Sequence, residues 1–88
     1  MSYRILLHPR AADFLKQANA ELRERIKSNL RDLENTPKEG KHLRQSPFWR
    51  QRIGDYWAVY LIDEEEKRAI VLFIGHRSEV YDDFSRLF

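Results

Sequence analysis

Phe48-Trp49-Arg50-Gln51-Arg52-Ile53-Gly54-Asp55-Tyr56-Trp57-Ala58-Val59-Tyr60-Leu61-Ile62 is two strand-forming runs joined by a Gly-Asp pair. A two-residue link with Gly first is the signature of a type II′ hairpin, because the first turn position needs a positive φ. Period-two alternation puts Arg50 and Arg52 on one face and Trp49 and Ile53 on the other. The acidic tip Asp63-Glu64-Glu65-Glu66 turns the chain again into Ala69-Ile70-Val71-Leu72-Phe73-Ile74. That unbroken apolar run predicts a central strand covered on both faces, so the C-terminal half opens as a three-stranded meander.

Upstream, Tyr3 to His8 predicts a short strand stopped by Pro9, whose fixed φ suits the first turn of a helix. Ala11, Ala12, Phe14, Leu15 and Ala18 recur at helical spacing over residues 9–18, with a break near Asn19. Leu22, Ile26, Leu30 and Leu33 then form one apolar stripe that ends before Thr36-Pro37. Two helices so closely linked make an αα-hairpin. Residues 36–47 carry two prolines and a glycine without periodicity and read as a basic loop. Downstream, Ser78 is the expected N-cap of a last short helix bearing Val80, Tyr81, Phe84 and Leu87 on one side. The expected fold is α+β: a mainly antiparallel four-stranded sheet with the helical hairpin on one face, in the order β-α-α-β-β-β, plus a short C-terminal helix.

The 88 residues suffice for a single domain, 1–88, with a marginal core that gains from a covering partner. Cysteine is absent, which removes disulfides and thiolate chemistry and fits a reducing, cytoplasmic setting. No apolar stretch approaches a signal h-region or a membrane span, so no membrane association is expected. The histidines lack ligand spacing, so neither a metal nor another cofactor is expected. Formal charge is +2, unevenly spread: residues 36–57 hold five cations against two acids, and residues 61–88 hold seven acids against four cations. A bipolar surface follows if the fold keeps these segments apart.

Two places carry candidate chemistry. Arg50 and Arg52, adjacent on one strand face, make a clamp for a phosphodiester, or simply a solvated face. Gly75-His76-Arg77-Ser78-Glu79-Val80-Tyr81 follows the most buried strand, where rigid structure holds functional groups, and His76 alone of the three histidines has that support. Arg23, Lys27 and Arg31 add a basic stripe on the second helix, read as a solvated face or as a track for a phosphate backbone.

Together the 48–60 and 74–81 segments resemble the RelE/ParE superfamily of toxins from toxin–antitoxin systems, and the likeness extends over the whole 88-residue plan. It implies a type II toxin, with ribosome-dependent mRNA cleavage for the RelE branch, which is favoured, and gyrase poisoning for the ParE branch. The implied partners are a cognate antitoxin protein and the ribosome with its mRNA; DNA enters only through the toxin–antitoxin complex. On this chain the resemblance assigns phosphate and transition-state contacts to Arg52 and Arg77, backbone binding to Lys41, Arg44 and Arg50, and proton transfer to His76 or Tyr81. Trp57 stands where the family hairpin usually carries Arg after Gly-Asp-Tyr. An indole there stacks on a base or fills the cleft, and it raises the alternative of a silent, antitoxin-binding member.

Overall fold

The computed structural model describes residues 2–84. Its elements are β1 (Arg4–Leu7), α1 (Pro9–Gln17), α2 (Ala20–Asp32), β2 (Lys41–His42), β3 (Phe48–Ile53), β4 (Tyr56–Asp63), β5 (Arg68–His76) and α3 (Arg77–Phe84). The expected hairpin forms: Ile53 pairs with Tyr56 and Gly54 takes φ +62°. The sheet has five strands rather than four, in the order β1-β5-β4-β3-β2. The added strand, Lys41–His42, lies inside the predicted loop and pairs with Arg50 and Trp49. Two residues are too few for a periodic pattern, so only the neighbouring strand reveals them. β1 runs parallel to β5 and all other pairs are antiparallel.

The helical hairpin lies on one face of the sheet. Leu15, Ile26, Leu30 and Leu33 meet Ile53, Ala58, Tyr60, Val71 and Ile74 in the main core. A bulge between β4 and β5 makes Val59 oppose Phe73 and Tyr60 oppose Val71, leaving Leu72 as the extra residue. The bulge shifts the alternation by one, which is how both Val71 and Ile74 reach the helix side. Val59 and Val80 are also fully buried but lie outside that core. A Cβ on Gly75, which shares a sheet face with its partner Trp57, would stand 3.3 Å from Glu79 Oε2. α3 therefore crosses the face opposite the hairpin and covers β5 on its second side.

Side chains settle the helix ends. Asn19 Oδ1 accepts from the Leu22 N–H at 2.8 Å and caps α2, while His8 Nδ1 accepts from the Arg10 N–H at 3.2 Å and caps α1. Arg23, expected in an open basic stripe, instead turns back onto the end of α1: its Nε donates to the Leu15 carbonyl at 2.9 Å and its Nη2 to the Ala18 and Lys16 carbonyls at 2.8 and 3.2 Å. A guanidinium on the last carbonyls of a helix satisfies its orphan acceptors and opposes its dipole. α3 begins at Arg77, one residue before the expected Ser78 cap. The Phe84 side chain and Leu87, both placed on its apolar side by the sequence, lie outside the described residues, as does Arg86.

The two charged segments are not kept wholly apart. Glu64 of the acidic tip accepts from Tyr3 Oη at 2.7 Å and lies 3.6 Å from Lys38 Nζ in the basic loop. The Tyr3 hydroxyl first, and the two neighbouring lysines after it, hold Glu64 below the ordinary carboxylate range. No described helix is long and apolar enough to cross a membrane.

Candidate functional site

The sheet register collects cations on the face turned away from the helical hairpin. Arg50 opposes Lys41 on β2 and Val59 on β4, and Arg52 opposes Trp57. Cross-strand partners share a face, so Lys41, Arg50, Arg52 and Trp57 form one patch. The Arg50 guanidinium lies over the Trp57 indole, 4.2 Å from its centroid, a cation–π stack. Partial burial first, and the charge of Arg52 second, lower the Arg50 pKa from its ordinary value, though a guanidinium stays charged in any protein. Like charges crowded on a half-buried platform are relieved by an incoming anion. Arg52 Nε donates to the Gly54 carbonyl at 3.2 Å, which ties its side chain to the hairpin turn.

α3 brings further candidates to the rim of that face. The Arg77 N–H donates to the Asp55 carbonyl at 2.8 Å, docking the helix start on the β3–β4 turn. Arg77 and Tyr81 stand one turn apart on one side of α3. Tyr81 is 51% exposed, while the neighbouring Val80 is buried and anchors the helix. Arg44 is exposed in the loop beyond β2.

His76 goes elsewhere. It pairs with Tyr56, whose alternation puts it on the hairpin face; the two rings meet edge to face at 5.6 Å, and Tyr56 in turn touches Phe14 of α1 at 5.8 Å. His76 Nδ1 accepts from the Ser78 N–H at 3.3 Å and lies 2.9 Å from Ser78 Oγ. That is the work of a helix cap, done by an imidazole just as His8 does it for α1. An accepting Nδ1 leaves the proton of the neutral ring on Nε2. The eight predicted residues are thus not brought into one pocket. Lys41, Arg50, Arg52 and Trp57 share a face, Arg77 and Tyr81 flank it on α3, Arg44 stands in the adjoining loop, and His76 lies on the other side.

Two features had no counterpart in the sequence reading. The first is the seating of the basic loop. Tyr60, fully buried, donates its hydroxyl to the Pro37 carbonyl at 2.7 Å and accepts from the Gly40 N–H at 3.3 Å, and burial pushes its phenol up to about 12, so it remains a donor. Beside it, Trp49 stacks on Tyr60 and on His42, and His42 Nε2 lies 2.6 Å from the Ser46 carbonyl. A tyrosine in an otherwise apolar core stripe was the available signal, since a buried hydroxyl needs partners. The second is a trough between β1 and α2 lined by Ile5, Leu7, Leu15 and Leu30, with a rim of mixed charge made by Glu24, Lys27, Arg31 and Glu34. Its strand leaves Leu6 and Leu7 36% and 39% exposed. β1 is the outermost strand on its side, with an unpaired backbone edge. Among the described residues no three acidic or histidine side chains are grouped to hold a metal ion.

A meander sheet with a helical hairpin behind and a cationic patch in front defines a small α+β domain with one basic sheet face. Comparison with known proteins makes this specific. Residues 5–81 match the model of the ParE toxin of the type II toxin–antitoxin system parDE. A chain of the RelBE2 toxin–antitoxin complex from Mycobacterium tuberculosis superposes with a TM-score of 0.80 at 25% identity, covering 88% of this chain and 100% of that one. The isolated RelE toxin of E. coli superposes at 0.76 with 22% identity over 97% of each chain. A chain of the archaeal RelE–RelB complex from Pyrococcus horikoshii does so at 0.75 with 22% identity, covering 88% and 97%. A search of functionally curated proteins finds no sequence match. The chain belongs to the ParE toxin family of type II toxin–antitoxin systems, within the RelE/ParE superfamily.

Proposed function

We propose that the chain arrests growth by cutting mRNA on the ribosome, and that the observation carrying this reading is the register of Lys41, Arg50 and Arg52 on one sheet face. Three cations spaced along neighbouring strands match a single-stranded phosphate backbone, and the Trp57 indole beside them suits a nucleobase. Cleavage of this kind moves the ribose 2′-oxygen onto the adjacent phosphorus and breaks the P–O5′ bond. A 2′,3′-cyclic phosphate remains; the 2′-hydroxyl proton goes to a base, and a proton is delivered to the departing 5′-oxygen. Arg52 and Arg77 stabilise the doubly charged phosphorane between those events, and Tyr81, exposed on the rim, is better placed than His76 to move a proton. Arg50, Lys41 and Arg44 hold the flanking backbone.

In this reading a co-expressed antitoxin silences the toxin, as a RelB protein accompanies the toxin in the M. tuberculosis and P. horikoshii complexes. An extended segment with alternating apolar residues fits the β1 edge and its trough, and charges of both signs beside them meet Lys27 and Arg31 on the one hand and Glu24 and Glu34 on the other. Expression without antitoxin is expected to stop translation and to create new transcript 5′ ends inside codons, with Arg52→Ala losing about 10²–10³ of the rate. Intact transcripts during growth arrest sink the nuclease reading. The second reading, a gyrase poison, draws on the match to a ParE family model; inhibited supercoiling with intact mRNA is its signature.

A further inference from the structure

We propose that Tyr60 is a positioning residue for the cationic face: its hydroxyl, bonded to Pro37 and Gly40, holds Lys41 in register with Arg50. The proposal rests on the nucleic-acid reading above but makes a claim about the chain that is measured independently of it.

Lys41 belongs to a strand of only two residues, and so short a pairing does not hold itself. Its place is set by what grips the chain on either side. Ahead of it, the Tyr60 hydroxyl spans the loop, accepting from the Gly40 N–H and donating to the Pro37 carbonyl three residues earlier. Gly40 lies so close to the sheet that a Cβ there would collide with the Arg50 carbonyl and come within 2.7 Å of Tyr60 Oη. Tyr60, Gly40, Arg50 and Lys41 are therefore one packed unit, in which the hydroxyl fixes the approach and the strand register follows. Behind Lys41, the His42 ring on Trp49 and the Leu43 N–H, which donates to the Phe48 carbonyl at 2.9 Å, hold the far side, so the near side rests on Tyr60. Phenylalanine at 60 fills the same core volume but leaves the Gly40 N–H and the Pro37 carbonyl without this partner, so the loop moves and Lys41 leaves its post before the fold is lost.

The experiment measures Tyr60→Phe, Lys41→Ala and the double variant for binding of labelled oligouridylate across a salt series, and follows backbone amide exchange of each. Tyr60→Phe is expected to weaken binding about fivefold and to lower the salt slope by about 0.7, as Lys41→Ala does. In the Lys41→Ala background it is expected to add nothing, because it acts through that side chain. Its Gly40 and Lys41 amides exchange faster while those of β4 and β5 keep their protection. Unchanged exchange at Gly40, or penalties that multiply in the double variant, overturn the proposal. A wild-type chain that ignores oligouridylate counts against the RNA reading alone, and the Gly40 and Lys41 amides then decide whether Tyr60 sets the strand. Should Tyr60→Phe fold poorly, Gly40→Ala perturbs the same unit from the loop side and is expected to show the same dependence on Lys41.

Discussion

At the scale of single residues, the chain shows how a functional type of side chain is absorbed by structure. His76 sits at the end of a rigid strand, where catalytic groups gather, yet its Nδ1 serves the first turn of α3. The two roles separate experimentally. Asparagine is among the best N-caps, whereas alanine loses the bond at a cost of about 1 kcal/mol. His76→Asn is therefore expected to keep the thermal midpoint and the toxicity, and His76→Ala to lower the midpoint by several degrees. Toxicity lost in a stable His76→Asn protein assigns the imidazole to the chemistry after all. Trp57 illustrates the converse: the departure from the family pattern is not a gap in the cationic face, because its ring carries the Arg50 guanidinium.

At the scale of elements, charge patterns along a helix did not reveal their purpose. Arg23, Lys27 and Arg31 have one spacing and two surroundings: Arg23 closes the end of α1, while Lys27 and Arg31 border the apolar trough. Removing the Arg23 guanidinium takes a donor from the Lys16 and Ala18 carbonyls and leaves the Leu15 carbonyl only its bond from the Ala18 N–H, so Arg23→Ala is expected to cost about 1–3 kcal/mol in chemical denaturation. Lys27→Ala, which leaves no such acceptor, is expected to change stability by less than about 0.5 kcal/mol. Equal losses for the two would show that the α1 cap is worth nothing. β2 belongs to the same lesson, since its two residues have no strand identity apart from β3.

At the scale of the whole molecule, the sheet separates two surfaces with different work. The open face presents Lys41, Arg50 and Arg52; the β1 edge and the trough behind it present the apolar surface on which the proposed reading seats the antitoxin. Leu7→Asp is expected to abolish protection by a co-expressed antitoxin and its co-purification, while toxicity without antitoxin stays intact. Continued protection moves the docking surface away from β1.

Sequence alone determined the meander, the αα-hairpin, the II′ turn and the sharing of one face by Arg50 and Arg52, because each follows from periodicities of two or 3.6 or from the φ demands of Gly and Pro. The family likeness, too, was written in the order of its short motifs. Tertiary structure decided the rest: the parallel placement of β1, the existence of β2, the turning of His76 to the hairpin face, the recruitment of Arg23 as a cap and the hold of Tyr60 on the basic loop. These depend on which carbonyl or ring lies within about 3 Å or 5 Å of a side chain. Residues far apart along the chain meet at such distances only after the sheet has closed, and no local pattern encodes that meeting.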